Sequence, residues 1–503
     1  MLYLDLLVIG LYLTGLVYVA SRFSRDQNGI HDYFLTGHRV PWWALLGSIV
    51  ATETSTITLI SIPGYAFGAD LTFIQLALGY VLGRTLVAIL LVPLFFRGTF
   101  LTAYQVLTTK FGGLVGRGTA SLFLLTRSVS DGLRLFATGL VLALALSSMP
   151  EVTALISVLL PGSDHVTALL FLSIGLITAT TLFYTLVGGM QAVIWADVIQ
   201  LMIYLVGSFI AGSILLGQIP GGWSEIVDRA AASDKLKLFD FSLDWSRDYT
   251  FWSGLIGGIF ITASTHGTDQ LFVQRYLCAR SQSDARRALI GSGLVVLLQF
   301  GFFLILGIML WVYYTNYEPA ALASLTIEGQ IQTDRVFPHF VTTQLPIGLR
   351  GLLIAAVVAA GMSTLSSSLN SSAASTMGDF YLPFAGEERS SQHYVQVSRW
   401  ITVAWAMVQL LVALAAIALS RSVVDEVLGI QSLTGGLILA AFGLGRLKTT
   451  ITSKALISGL AIGAVVLTIT RAFTDVSWQW YALIGCLTTY MASLCATVML
   501  KRT

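Results

Sequence analysis

Ala51-Thr52-Glu53-Thr54-Ser55-Thr56 stands in the middle of an apolar run over residues 42–66, which closes on Pro63-Gly64. A helix that only crosses a bilayer has no use for four hydroxyls and a carboxylate in six residues. Ser and Thr side chains compete for backbone hydrogen bonds, and a charge at membrane depth is costly. The stretch therefore reads as an interruption of the helix. A second run, 251–268, carries Gly254, Gly257 and Gly258 and ends in Thr262-Ala263-Ser264-Thr265-His266-Gly267-Thr268-Asp269-Gln270. The two runs are five helices apart. Interrupted helices at matching positions of two halves point to an inverted-repeat transporter with its site at the breaks. Irregular backbone at that depth is tolerated where it lines a cavity. No obvious identity links the halves, so the repeat rests on layout.

The rest of the chain fits that setting. Its 503 residues are 55% hydrophobic and 11% charged, with a mean hydropathy of +0.80. Soluble proteins carry about 25% charged residues. This composition predicts an all-α polytopic membrane protein, because the apolar runs are far longer than the ~10-residue strands of a barrel. Thirteen runs are expected: 3–21, 42–66, 71–96, 118–148, 165–187, 190–216, 251–268, 284–313, 349–378, 396–419, 424–445, 453–471 and 479–499. The first is read as a retained helix, since no basic residue precedes Arg22. Alternate loops hold seventeen Lys and Arg on one side, among them Arg275, Arg280, Arg286 and Arg287, against eight on the other. The richer side is taken as cytoplasmic, which puts the N-terminus outside and the C-terminus inside. The long loops 217–250 and 314–348 then lie outside, the second able to fold as a short lid. Trp42-Trp43 and Trp478-Gln479-Trp480 read as interfacial anchors. Cys278, Cys486 and Cys495 show no metal or disulfide pattern. A net charge of +2 gives no case for nucleic acid.

The third informative stretch runs from Ala359 to Ser371, in the second half of an apolar run that begins near Leu352. Spacings of three and four place Ala360, Ser363, Thr364 and Ser367 on one helix face, with Ser366 beside Ser363. The stripe offers hard oxygens to a small cation. The same hydroxyls could instead bond the preceding turn or ease helix packing. No phosphate-binding loop is present, so an ion gradient is the expected energy source. No metal set or nucleophile–base pair stands out, so no enzyme is expected.

Four segments together carry a resemblance: Asp32-Tyr33-Phe34-Leu35-Thr36-Gly37; Gly188-Gly189-Met190-Gln191-Ala192-Val193-Ile194-Trp195-Ala196-Asp197-Val198-Ile199-Gln200; Thr268-Asp269-Gln270 with Val273-Gln274-Arg275-Tyr276-Leu277; and the hydroxyl stripe continuing to Asn370-Ser371 and Met377-Gly378-Asp379-Phe380-Tyr381. The chain resembles the sodium:solute symporter family, whose members carry sugars, sialate, iodide and monocarboxylates. The resemblance implies a LeuT-type 5+5 inverted-repeat core. An extra helix and loop (1–41) would precede the first repeat (42–216). The loop 217–250, the second repeat (251–446) and two final helices (447–503) would follow. It also implies a multi-pass protein of the plasma membrane, or of the inner membrane in a Gram-negative bacterium.

The same resemblance implies where the ions sit. One sodium would be held by the carbonyls of Ala51, Thr54 and Ala360 and the hydroxyls of Ser363 and Thr364. Asp197 with Ser363, Ser366 and Ser367 matches the second sodium site of some relatives. The alternative for Asp197 is a hydrated or Arg-paired carboxylate near the interface. Ion number matters: a charge crossing 100 mV yields about 2.3 kcal/mol and a tenfold gradient about 1.4. One sodium could concentrate a neutral solute roughly 500-fold and two about 10⁵-fold.

The solute is expected between the breaks, among Glu53, Ser55, Thr58, Thr262, Thr265 and His266. Relatives commonly have an uncharged residue where this chain has Glu53, which could bind a sugar hydroxyl, an ammonium group or a proton. It could equally pair internally, with Arg127-Ser128-Val129-Ser130-Asp131-Gly132-Leu133-Arg134 as the candidate partner cluster. Sialate-transporting relatives place a carboxylate-holding Arg near Arg134. Arg84 has no evident partner in the sequence. The expected function is sodium-driven symport of a small polar organic solute such as a sugar or sugar acid, with lipid as the only other surroundings and no protein partner required. The rivals are proton coupling through Glu53 or Asp197, and a transporter-like sensor. The chain stops at Thr503, just after the last run, so no signalling domain is expected.

Overall fold

The computed structural model describes residues 2–22, 29–147, 149–159, 162, 164–327, 329–385, 389–418, 421–447 and 451–500. Among the described residues nine helices are long and apolar enough to cross a membrane, or ten if the bent pair at Trp42–Gly68 is one span. One helix, His165–Gly217, has 53 residues. At about 1.5 Å per residue it would far exceed a hydrocarbon core of about 30 Å. Its helical path is broken at Gly189, with φ 56° and ψ −153°. A Cβ at Gly189 would also lie 2.7 Å from the Tyr33 carbonyl oxygen, so only glycine fits. The element thus holds the two runs expected over 165–187 and 190–216.

The first interruption lies where the polar stretch stands. Trp42–Glu53 ends at Thr54, which leaves helical geometry at ψ 89°. Ser55 is extended, and its hydroxyl accepts from the Thr58 N–H at 3.4 Å, capping a new helix Thr56–Gly68. The two pieces are bent by 61°. Pro63 lies inside the second piece and does not make the break.

The second interruption extends further than the run 251–268. A π-turn over Ser253–Gly257 leads into the helix Gly258–Thr268. The backbone becomes extended at Asp269, and the Asp269 carboxylate accepts from the Leu271 N–H at 2.9 Å. This restarts a buried helix, Gln270–Leu277.

Glycines bring this element against its neighbour. A Cβ at Gly79 would lie 2.4 Å from the Gly254 carbonyl oxygen, and one at Gly258 would lie 2.8 Å from the Leu76 carbonyl oxygen. A Cβ at Gly83 would meet the Ile259 carbonyl at 2.6 Å and the Thr262 methyl at 2.2 Å. Backbone atoms cannot step aside as side chains can, and overpacking a core costs about 1–3 kcal/mol. Gly83→Val is therefore expected to lower the thermal midpoint of the purified protein well below that of Gly118→Val. Gly118 has nothing within 4 Å.

Loops 217–250 and 314–348 meet the same end of the bundle. Lys235 Nζ donates to the carbonyls of Phe67 (2.8 Å) and Ala69 (2.7 Å), at the end of Thr56–Gly68. The second loop folds as helices Pro319–Ser324 and Thr333–Gln344 around a two-stranded hairpin, Thr326–Ile327 with Gln330–Ile331. It packs on Thr56–Gly68, with the Thr333 carbonyl 3.0 Å from where a Gly64 Cβ would be. Asp5, fully buried, accepts from the N–H groups of Gly348 and Gly351 and pairs with Arg350, tying the first helix to the start of Leu349–Ser375. Trp42 and Trp43 are exposed, as interfacial anchors require, and so is Trp245. Trp480 instead is buried against Trp245, with ring centroids 4.4 Å apart.

Candidate functional site

The break of Trp42–Gly68 is fastened to the hydroxyl stripe. Helix ends leave their last carbonyls without partners inside the helix. Here Thr364 Oγ1 lies 3.5 Å from the Thr52 carbonyl and 3.3 Å from that of Ala360. Thr56 Oγ1 donates to the Val357 carbonyl at 2.9 Å. Ala51 and Ala360 share one buried cluster. Thr54 is fully buried, and its hydroxyl accepts from Gln299 Nε2 at 2.8 Å. The donors gathered at the break are carbonyl and hydroxyl oxygens, the set a hard cation prefers. The helix Leu349–Ser375 is buried almost throughout from Val358 to Ser375, so the stripe is shielded from outside solvent.

Asp197 sits at the other edge of the stripe. Ser363 Oγ donates to its Oδ1 at 2.6 Å, and Ser48 Oγ donates to its Oδ2 at 2.5 Å. Ser367 Oγ stands 3.1 Å from Thr52 Oγ1, and Ser366 Oγ donates to the Ser363 carbonyl at 3.1 Å. Of the residues grouped from the sequence, Ser363 meets Asp197 directly and Ser367 stands beside Thr52, while the Ser366 hydroxyl is turned back onto its own helix. A fifth group joins them. Arg275 Nη2 lies 3.0 Å from Asp197 Oδ2 and also bonds Ser367 Oγ and Thr52 Oγ1. Arg275 is 1% exposed. The expectation that it serves as a cytoplasmic topology charge is therefore corrected. Loop counting took residues 269–283 as one stretch, whereas the chain re-enters a buried helix there and carries the guanidinium inward.

Glu53 also has a partner other than the one expected. It pairs with Arg84, which is fully buried and reaches Ser292 Oγ at 2.8 Å. The 127–134 cluster is engaged elsewhere: Arg127 pairs with Asp269 at the second break, and Arg134 Nη1 lies 3.0 Å from Asp131. Arg84 thereby gains an explanation that the sequence does not supply.

A cavity of about 300 Å³ opens where the two breaks meet. Thr52, Glu53 and Thr364 line it from one side, and Thr262, Thr265, His266 and Asp269 from another. Arg134, with its side chain 30% exposed, lines it as well. Thr262 Oγ1 is 3.1 Å from His266 Nδ1, whose ring packs on Phe272 with centroids 4.2 Å apart. His266 Nε2 is 3.8 Å from Glu53. Ser55 and Thr58 are not among the lining residues; they cap the restarted helix. The full charges on the wall balance: Arg127 and Arg134 face Glu53 and Asp269.

These two breaks, the oxygen-rich contact and the polar cavity between them are found in a chain that belongs to the sodium:solute symporter family, whose pattern matches residues 33–463. It is therefore a sodium-coupled solute symporter of the membrane. The chain is 28% identical over 489 residues to the sodium/sialic acid symporter SiaT of Proteus mirabilis, covering 96% of this chain and 92% of that one. It is 27% identical over 481 residues to the sodium/glucose cotransporter of Vibrio parahaemolyticus, covering 91% and 83%. Among solved structures, it superposes with a TM-score of 0.84 on a Na⁺-coupled sialic acid symporter captured substrate-bound and outward-open. That chain is 27% identical, and the match covers 99% of this chain and 98% of the other. The nucleobase-cation-symport-1 transporter Mhp1, at 14% identity and a TM-score of 0.55, shares the fold alone.

Proposed function

We propose that this symporter carries a small carboxylated polar solute, a sugar acid above all, in the cavity between the two breaks. The observation that carries this is Arg134: its half-buried guanidinium lines the cavity and is held by Asp131 from one side. Arg is suited to bidentate capture of a carboxylate. Thr262, Thr265 and His266 supply hydroxyl and imidazole partners for the rest of the solute. The similarity to sialic acid symporters supports the same class.

One sodium sits between the break and the stripe, on the carbonyls of Ala51, Thr54 and Ala360 and the hydroxyls of Ser363 and Thr364. Sodium there holds the break of Trp42–Gly68 against Leu349–Ser375 and favours the outward-open form. Its loss to the cytoplasm loosens the contact and opens the site inward. The repeats 42–216 and 251–446 rock against each other around this point, in a chain of thirteen spans with the N-terminus outside and the C-terminus inside. Its place is the plasma membrane, or the inner membrane of a Gram-negative cell.

A thermal-shift screen of the purified protein in sodium chloride tests the solute class. Ligand at 100 times its Kd stabilises a folded protein by about 2.7 kcal/mol. Sialic acids or other carboxylated sugars are expected to raise the midpoint, and Arg134→Gln to remove that rise. Stabilisation by neutral sugars alone, with no effect of any carboxylated solute, would contradict the proposal.

A further inference from the structure

We propose that Arg275 is a tethered cation that sodium must displace from Asp197, so that filling this site unhooks the second broken helix. The inference rests on the reading of Asp197 and its serines as a sodium site. It goes beyond that reading by assigning a competing role to a residue from another element.

The geometry is that of a cation in a ring of oxygens. Arg275 Nη2 contacts Asp197 Oδ2 at 3.0 Å, Thr52 Oγ1 at 2.5 Å, and Ser367 Oγ. Its Nε donates to Ser48 Oγ at 2.8 Å, and Nη1 donates to the Leu271 carbonyl. Asp197 and Ser367 are the groups a sodium would also need. Asp197 is fully buried, and Arg275 nearly so. Two cations against one carboxylate in so dry a place would leave a charge unpaired and buried. Sodium therefore enters only as the guanidinium leaves Asp197 and moves, with its helix, toward water.

The exchange has a mechanical consequence because the partners stand on different elements. Asp197 lies in His165–Gly217, Ser367 in Leu349–Ser375 and Arg275 in Gln270–Leu277, just beyond the break at Asp269. With the guanidinium bound, the restarted helix is hooked to those two long helices and, through Ser48 and Thr52, to Trp42–Glu53. With sodium in its place, the hook is released, and Arg127–Asp269 is left as the ion pair at that break. A tethered competitor also weakens apparent sodium binding, since sodium must displace it.

The test uses the full-length purified protein, titrated with sodium chloride against choline chloride at constant ionic strength, with thermal midpoint as the readout. Arg275→Gln is expected to lower the sodium concentration at half-maximal stabilisation about tenfold, and Arg275→Lys to leave it near the wild-type value. Asp197→Asn placed on Arg275→Gln is expected to cancel the gain. In the wild type, hydrogen exchange over residues 270–277 is expected to speed up in sodium relative to choline, which needs no variant to fold. If Asp197→Asn leaves the sodium titration unchanged, the reading of Asp197 as a sodium site is wrong. If Asp197→Asn weakens sodium binding while Arg275→Gln does not strengthen it, or if residues 270–277 are protected by sodium, the exchange is wrong and the site stands.

Discussion

Arg84→Gln lowers the stability of the purified protein by about 3–5 kcal/mol, and adding Glu53→Gln restores most of the loss. The first figure is the usual cost of leaving one member of a buried ion pair without its partner. Arg84 has no exposure and Glu53 only 14% in its side chain, so water cannot fully compensate. The restoration follows because the double variant removes both charges, and a neutral pair carries little desolvation cost. Ser292 stays available to the glutamine that replaces Arg84. Unfolding midpoints of the three variants in detergent decide this. A double variant no more stable than Arg84→Gln would show that the guanidinium is held for reasons other than Glu53. The same variants separate structure from recognition. If Glu53 serves only the pair, the restored double variant keeps solute binding. If it also contacts solute, binding falls although stability returns.

Thr364→Ala is expected to weaken sodium binding by about ten- to hundredfold, the range seen when even a supporting partner of a metal ligand is lost. Thr364 is the cleaner of the two hydroxyls to remove. Its hydroxyl bonds the carbonyls of Thr52 and Ala360, whereas that of Ser363 holds Asp197. Ser363→Ala should therefore weaken sodium binding and also disturb the Asp197–Arg275 pair. Sodium titrations of thermal midpoint, with potassium as the control ion, read both effects. Unchanged sodium dependence in Thr364→Ala would remove the stripe from the ion site.

Which parts of this were legible in the sequence follows from what local pattern encodes. The break at Thr54–Ser55 was legible because its cause is local: hydroxyls that compete with the helix and a serine that caps the next one. The hydroxyl stripe was legible because helical spacing decides which side chains share a face. Its meeting with Asp197 came from family resemblance. Arg84–Glu53 and Arg275–Asp197 were not legible. Spacing reports one face of one helix and is silent on which helix stands opposite. The nearest cluster of charges that the sequence offers Glu53 is on 127–134, and it offers Arg84 no partner. The signal for Arg84 was its depth alone, since an arginine inside an apolar run needs a counter-charge. Arg275 was hidden by a different cause. Counting charges in loops treats all polar residues after a span as solvated, but Gln270–Leu277 is a buried helix. Asp269 had the residue type of a helix cap and marked the restart.

A sodium gradient is expected to drive transport by this chain. Proteoliposomes of the full-length protein, given a labelled sialic acid or the best carboxylated solute from the stability screen, test it directly. Accumulation is expected with an inward sodium gradient, enhanced by a negative interior, and absent when potassium or choline replaces sodium. Robust accumulation in sodium-free buffer under an inward proton gradient would contradict the account.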